Sequence, residues 1–272
     1  MTYETFQPSV NLRPFVKCYW TLIGEKPSHN ATQTIVPDGC FEMIFHYGDL
    51  YRQFSNGNNA FIQPRSFVIG QLTKPLQIEP IGITRIFSVR FKPNGFFPFT
   101  YMPLKGLENK PVPLNSLFGS KGDLITKAIL EASSTIQRIE LIESFLDQLV
   151  PSNVFIDSVV KSSIDIILDT NGHTSINQIS AVNKTSRRQL ERKFSCTIGL
   201  SPKKLSKAVR MVNTIRVMFS NEKKNLTELA YENEYYDQSH FIKDFKEFTG
   251  FTPKAFYGDP LIMSKLFYGQ NI

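Results

Sequence analysis

Cysteine is scarce in this 272-residue chain: Cys18, Cys40 and Cys196 are the whole set. They are odd in number, lie far apart and form no CxxC pair, so neither a disulfide framework nor a structural zinc site is written here. A reducing cytoplasm is the expected compartment. No run approaches the roughly 18 apolar residues of a membrane span, and the start, MTYETFQPSVNLRPF, lacks the basic-then-apolar order of a signal peptide. Membrane partners are therefore not expected. Gly-rich phosphate loops, Ser-His-Asp spacing and paired catalytic carboxylates are also missing. Histidine is rare as well, with only His29 and His46 before residue 173.

These gaps bear directly on enzymatic readings. Glu42 and His46 share one face of a strand and could hold a metal. Two ligands are too few, and His29 lies in a polar loop. Cys40 after Pro37-Asp38-Gly39 could be read as a nucleophile, but no basic cluster adjoins it and Asp-Gly is above all a hairpin turn. No catalytic, cofactor-binding or metal residue is expected, and the chain is read as a non-enzyme. A barrel with metal-dependent, small-molecule-modifying activity tethered to a binding module is the alternative.

What the chain does have is a core and an uneven charge. Hydrophobic residues make up 41%, with 23 Phe and 10 Tyr, enough apolar surface to exclude global disorder. At roughly 150 residues per domain the length points to two domains. The net charge is +7, yet residues 1–158 carry only +1 and residues 159–272 carry +6. Residues 184–210 hold nine basic side chains against one acid, Glu191. A solvated helix face usually mixes signs, so this stretch points to a polyanion.

Periodicity divides the chain in the same way. In the first half short apolar runs alternate with period two: Phe41, Met43, Phe45 and Tyr47 share one strand face, and Ile83, Phe87, Val89 and Phe91 share another. Residues 16–22, 61–70 and 76–80 supply further extended pieces, which predicts an antiparallel barrel or sandwich. From Gly119 the period becomes helical. Leu124, Ala128, Ile129 and Ala132 form one stripe; Ile136, Ile139, Ile142, Leu146 and Leu149 form a second, after a cap at Ser133 or Ser134. The second stripe is longer than a small barrel is expected to cover, so a homodimer through residues 123–149 is expected. A further helix starts near Asp157. The expected domains are a sensor or oligomerisation domain with its helix pair at 1–152, an all-α module at 157–258, and a tail at 259–272.

The C-terminal module repeats itself. At a spacing of 51 residues Leu190 aligns with Phe241, Phe194 with Phe245, Gly199 with Gly250, and Ser201-Pro202 with Thr252-Pro253; Ile176 and Ile179 align with Leu226 and Leu229 at 50. Two short helix-turn-helix units joined by a helix over residues 202–219 account for this. In the first unit a helix capped by Ser186 places Leu190 and Phe194 on one face, and Arg188, Glu191, Arg192 and Ser195 on the other. A recognition helix needs that division, because Arg can bind guanine with two hydrogen bonds and Glu can accept from cytosine N4. Arg187 and the linker-helix cations Lys203, Lys204 and Lys207 complete the first candidate surface. In the second unit Asp237 or Ser239 begins the helix, Phe241 and Phe245 face inward, and Gln238, Ser239, Ile242, Lys243 and Lys246 face outward. Residues 226–254 nonetheless carry a net −3.

The stretch Asp237-Gln238-Ser239-His240-Phe241, followed by Phe245, Gly250, Phe251, Thr252 and Pro253, resembles the signature of AraC-type (AraC/XylS) transcriptional regulators. The first unit, from Ile176 through Leu190, Phe194 and Gly199-Leu200-Ser201-Pro202, is similar to that family's first motif. The resemblance covers residues 160–257. It implies a seven-helix module with two recognition helices in successive major grooves, and RNA polymerase as a further partner beside double-stranded DNA. Glu234 stands where the family usually has Gly before the aromatic, a position where a left-handed backbone costs Glu about 1 kcal/mol more. The first half resembles the cupin-like barrel found in front of such modules, through Tyr19-Trp20-Thr21-Leu22, residues 35–42, Gly70-Gln71-Leu72 and residues 91–96. That implies a sensory or oligomerisation role, with a small-molecule effector left open.

Overall fold

A computed structural model describes residues 1–26, 32–54, 59–100, 102–150, 157–219, 228, 231 and 237–258. The first half forms two antiparallel sheets. One has six strands in the order β1 (Thr2–Phe6), β2 (Val16–Gly24), β9 (Thr84–Phe91), β4 (Glu42–His46), β7 (Ser66–Ile69) and β10 (Val112–Pro113). The other has four, in the order β3 (Gln33–Ile35), β8 (Leu76–Pro80), β5 (Tyr51–Phe54) and β6 (Ala60–Ile62). The sheets are not joined into a closed barrel, so the predicted barrel or sandwich is realised as a sandwich. The run expected as one strand over residues 61–70 is two, β6 and β7, with Pro64 between them. Proline has no N–H for the ladder and ends the first piece.

Alternation along β4 and β9 builds two cores back to back. Phe41, Met43, Phe45, Phe87, Val89 and Phe91 are fully buried toward α1 (Leu114–Phe118), α2 (Ser120–Glu131) and α3 (Thr135–Leu149). Ile83 does not join them; it lies just before β9 and is exposed. The opposite parity, with Ile44, Ile86 and the polar Glu42, His46 and Arg90, lines the space between the sheets.

The helix pair is present, with Ser134 capping α3 by accepting from the Gln137 N–H. Its apolar stripes are rotated from the sequence reading. Ile125, Ile129, Ala132, Ile142 and Leu146 are buried, whereas Leu124 and Ile136 are exposed at 69% and 66%. The cause is the sandwich itself, which takes the faces carrying Gly122 and Ile142 and turns the neighbouring residues outward. The expected dimer stripe is thus largely spent within the chain.

The helical module follows as α4 (Ser158–Asp169), α5 (Ile176–Val182), α6 (Arg187–Thr197), α7 (Pro202–Phe219), α8 (Gln238–Thr249) and α9 (Pro253–Gly258). Asp157 caps α4 by accepting from the Val159 and Val160 N–H groups. The junction expected at 153–156 and the turn containing Glu234 lie outside the described residues, as do Leu226 and Leu229. The two halves share one apolar cluster, in which Val36, Leu72 and Leu76 of the sandwich meet Ala208, Met211, Val212 and Ile215 of α7 and Phe248 of α8. The Leu104 N–H also donates to the Cys196 carbonyl at 3.0 Å, pinning the end of α6 to the first half.

Candidate nucleic-acid interface

The repeat seen in sequence is a repeat in geometry. Ser186 and Asp237 cap α6 and α8 by accepting from the Gln189 and His240 N–H groups. Gln189 closes a full capping box on α6, a device that satisfies two backbone donors at once. Both helices end at a glycine in left-handed geometry, Gly199 with φ 81° and Gly250 with φ 84°, a conformation that disfavours any residue with a Cβ. After each glycine Ser201 and Thr252 cap the next helix, with their hydroxyls accepting from Lys204 and Ala255 N–H. Leu190 with Phe194, and Phe241 with Phe245, occupy matching buried positions.

With those apolar faces fixed inward, the polar faces are fixed outward. On α6, Arg187, Arg188 and Arg192 are exposed, and Glu191 and Ser195 are half-buried beside them. Among the described residues none of the three arginines has an ion-pair partner. Lys193, one helical step around, does: its ammonium is bound to Asp157, tying α6 to the start of α4. Burial pushes the Asp157 pKa up, but the Lys193 hydrogen bond and the helix N–H groups outweigh it and hold that carboxyl below its usual range.

On α8, Gln238, Ser239, Lys243 and Lys246 are exposed. Ile242 differs from the sequence reading: it is half-buried and packs against the shared apolar cluster. At the helix start the Asp237 carboxylate accepts from the His240 N–H at 2.8 Å, and that backbone hydrogen bond keeps its pKa low.

The linker helix α7 divides its lysines. Lys203 and Lys204 are exposed in the first turn of the helix. Lys207, expected to neutralise phosphate, is instead half-buried and engaged within the module, with Nζ 3.3 Å from Asp244 Oδ1 and 3.2 Å from Glu247 Oε2. The acids of the second unit draw it there. Sequence reading missed this pairing because it joins residues about 40 positions apart on different helices.

Glu42 and His46, the weighed metal pair, do share the space between the sheets. His46 Nε2 is 3.2 Å from Gln63 Oε1, and burial pushes its pKa down to about 4. Burial pushes the Glu42 pKa up to about 7. Among the described residues no three His, Cys, Asp or Glu side chains cluster as a metal would require. Burial also raises the Cys40 thiol to about 11, which makes it a poor nucleophile.

Two family models match separate stretches of the chain. Residues 179–258, which span both units of the repeat, match a family described as a helix-turn-helix domain. The helical module is therefore similar to helix-turn-helix domains. Its first half, residues 4–113, matches a domain of unknown function, DUF6597. A sequence search of curated proteins finds no match. Among solved structures, ToxT from Vibrio cholerae shares the fold, with a TM-score of 0.50 at 11% identity over 88% of this chain and 98% of that one. An AraC-type regulator from Chromobacterium violaceum aligns over 37% of this chain and 89% of its own, at 19% identity and a TM-score of 0.34. Among the described residues no helix is long and apolar enough to cross a membrane.

Proposed function

We propose that this chain is an AraC-type transcriptional regulator that reads its operator mainly through α6, with Arg188, Glu191, Arg192 and Ser195 toward base edges and Arg187, Lys203 and Lys204 toward phosphates, while α8 adds Gln238, Ser239, Lys243 and Lys246 in the next major groove. The observation that carries this reading is the row of unpaired arginines on α6, opposite the buried pair Leu190 and Phe194. Unpaired guanidiniums on a capped helix can meet guanine edges without first breaking an ion pair. Domains of 1–152 and 157–258 act as sensor and DNA reader in this scheme. The sandwich packs on α7, the helix joining the two units, so a small molecule bound to it can bias how the units are set.

The reading gives the chain no catalytic role and places it in the cytoplasm. Homodimerisation and contact with RNA polymerase are further parts of the proposal. Selection of bound sequences from a random duplex pool tests it. The expected result is an enriched motif with two blocks about one helical turn apart. A pool with no enriched motif would overturn sequence-specific recognition.

A further inference from the structure

A cleft of about 540 Å³ lies between the sandwich and the DNA-binding module. That volume falls within the range of small-molecule sites. Its walls hold five cations, Lys17, Arg90, Lys92, Lys161 and Arg216, and two acids, Asp38 and Asp165. The acids are already taken: Asp38 binds Arg90, and Asp165 Oδ2 is 2.9 Å from Lys161 Nζ. Glu42, just beneath, also leans on Arg90, at 3.5 Å. Lys17, Lys92 and Arg216 are left with no anionic partner among the described residues.

These three cations come from different parts of the fold. Lys17 is on β2 and Lys92 just follows β9, while Arg216 is in the last turn of α7. Lys17 is half-buried, and its ammonium is disfavoured first by burial and then by the positive charges of Arg90 and Arg216. Lys92 and Arg216 are exposed and Lys17 is half-buried, so the three like charges share a cleft open to solvent and oppose the docking of the two domains through a screened repulsion. An anion in the gap would turn that repulsion into attraction. A monoanion would still leave most of the excess unmatched.

We infer that this cleft binds a small-molecule polyanion of about two to three negative charges, a phosphorylated or polycarboxylate metabolite, which bridges Lys17 and Lys92 of the sandwich to Arg216 of α7. The same contacts make it a regulatory ligand, since it binds the docked arrangement of α7 better than any undocked one. This regulatory part rests on the proposed DNA-binding function; the binding site itself does not.

The test uses the full chain, with pyrophosphate and citrate as probes and acetate and decanoate as monoanion controls, at constant ionic strength. Pyrophosphate or citrate should raise the melting temperature by roughly 5 to 10 °C at 100 times its Kd, and calorimetry should give one site per chain. Arg216→Met and Lys17→Met should each weaken binding about 10-fold to 100-fold, and Lys105→Met, outside the cleft, should leave it unchanged. Both cleft variants remove a repelling charge, so without ligand they should melt no lower than the parent chain. Equal binding by parent and Arg216→Met, a preference for decanoate, or no heat with either polyanion would overturn the inference. Operator binding is then measured with and without the bound polyanion. An unchanged affinity would remove the regulatory role and leave the site standing, whereas failure to bind any operator both with and without the polyanion would strike the DNA-binding reading instead.

Discussion

Lys207 on α7 and Asp244 on α8 are joined by a 3.3 Å ion pair, and Glu247 adds a second at 3.2 Å, so the linker helix grips α8 directly. The pair is about one-third exposed on each side, so its worth to global stability is small, about 0 to 1 kcal/mol. Its effect on geometry is larger under the proposed reading, in which α6 and α8 meet successive grooves in register. Lys207→Met is expected to reduce affinity for two-block operators about 3-fold to 10-fold while changing the salt dependence little. Band-shift titrations at several salt concentrations check this. A full unit lost from the salt slope would show that Lys207 reaches phosphate after all.

Arg188→Ala and Arg192→Ala should each weaken specific binding by about 1 to 3 kcal/mol and leave nonspecific binding and the melting temperature nearly unchanged. Both side chains are exposed and unpaired, so their loss strands no buried partner. If both variants bind the selected operator as the parent does, this face of α6 does not enter the groove.

The repeat was the most legible part of the sequence, because glycine in left-handed geometry, a capping hydroxyl and a proline at the next helix start are local requirements. Gly199-Leu200-Ser201-Pro202 and Gly250-Phe251-Thr252-Pro253 could be read without knowing any neighbour. The face of α2 could not. Leu124 and Ile125 are both apolar, and only the position of the sandwich decides that Ile125 is buried and Leu124 exposed. Likewise Lys207 reads as one more basic residue until the fold brings Asp244 and Glu247 beside it. The cleft cations were invisible for the same reason, being drawn from residues 17, 92 and 216.

That rotation of the helix pair restricts the dimer prediction. Ile142 and Leu146 are buried within the chain, which leaves Leu124 and Ile136 as the exposed apolar residues of α2 and α3. If the chain dimerises through this face, Leu124→Glu with Ile136→Glu should convert a sedimenting dimer to a monomer without lowering its melting temperature. A dimer that survives both changes must use another surface.

Glu42 gives the sandwich a pH dependence of definite sign. Burial raises its folded pKa from 4.5 to about 7, so the folded state holds a proton that the unfolded chain has released. Stability therefore falls as pH rises through the window from 4.5 to about 7. The net shift corresponds to about 3 kcal/mol. Urea unfolding at pH 5 and pH 8 should show this loss in the parent chain and a smaller one in Glu42→Gln. Equal losses in the two proteins would assign the slope to other groups.

The last prediction concerns the unequal charge of the two units. Residues 184–210 carry +8 and residues 226–254 carry −3, so counterion release should come mainly from the first unit and the start of α7. Lys203 and Lys204 are exposed with no acidic partner among the described residues. Neutralising each should lower the slope of log K against log salt by about 0.9 per lost phosphate contact and weaken all sequences alike. Neutralising Lys243 or Lys246 should change affinity only for operators with the matching second block. Base changes under α8 should also be tolerated better than those under α6, because the acids around α8 repel phosphate and Ile242 is turned inward. A salt titration combined with a scan of single base-pair substitutions decides between the units. Equal sensitivity in both blocks, with a salt slope indifferent to Lys203 and Lys204, would mean that the placement of Ser239, Lys243 and Lys246 on α8 outweighs the field of their acidic surroundings.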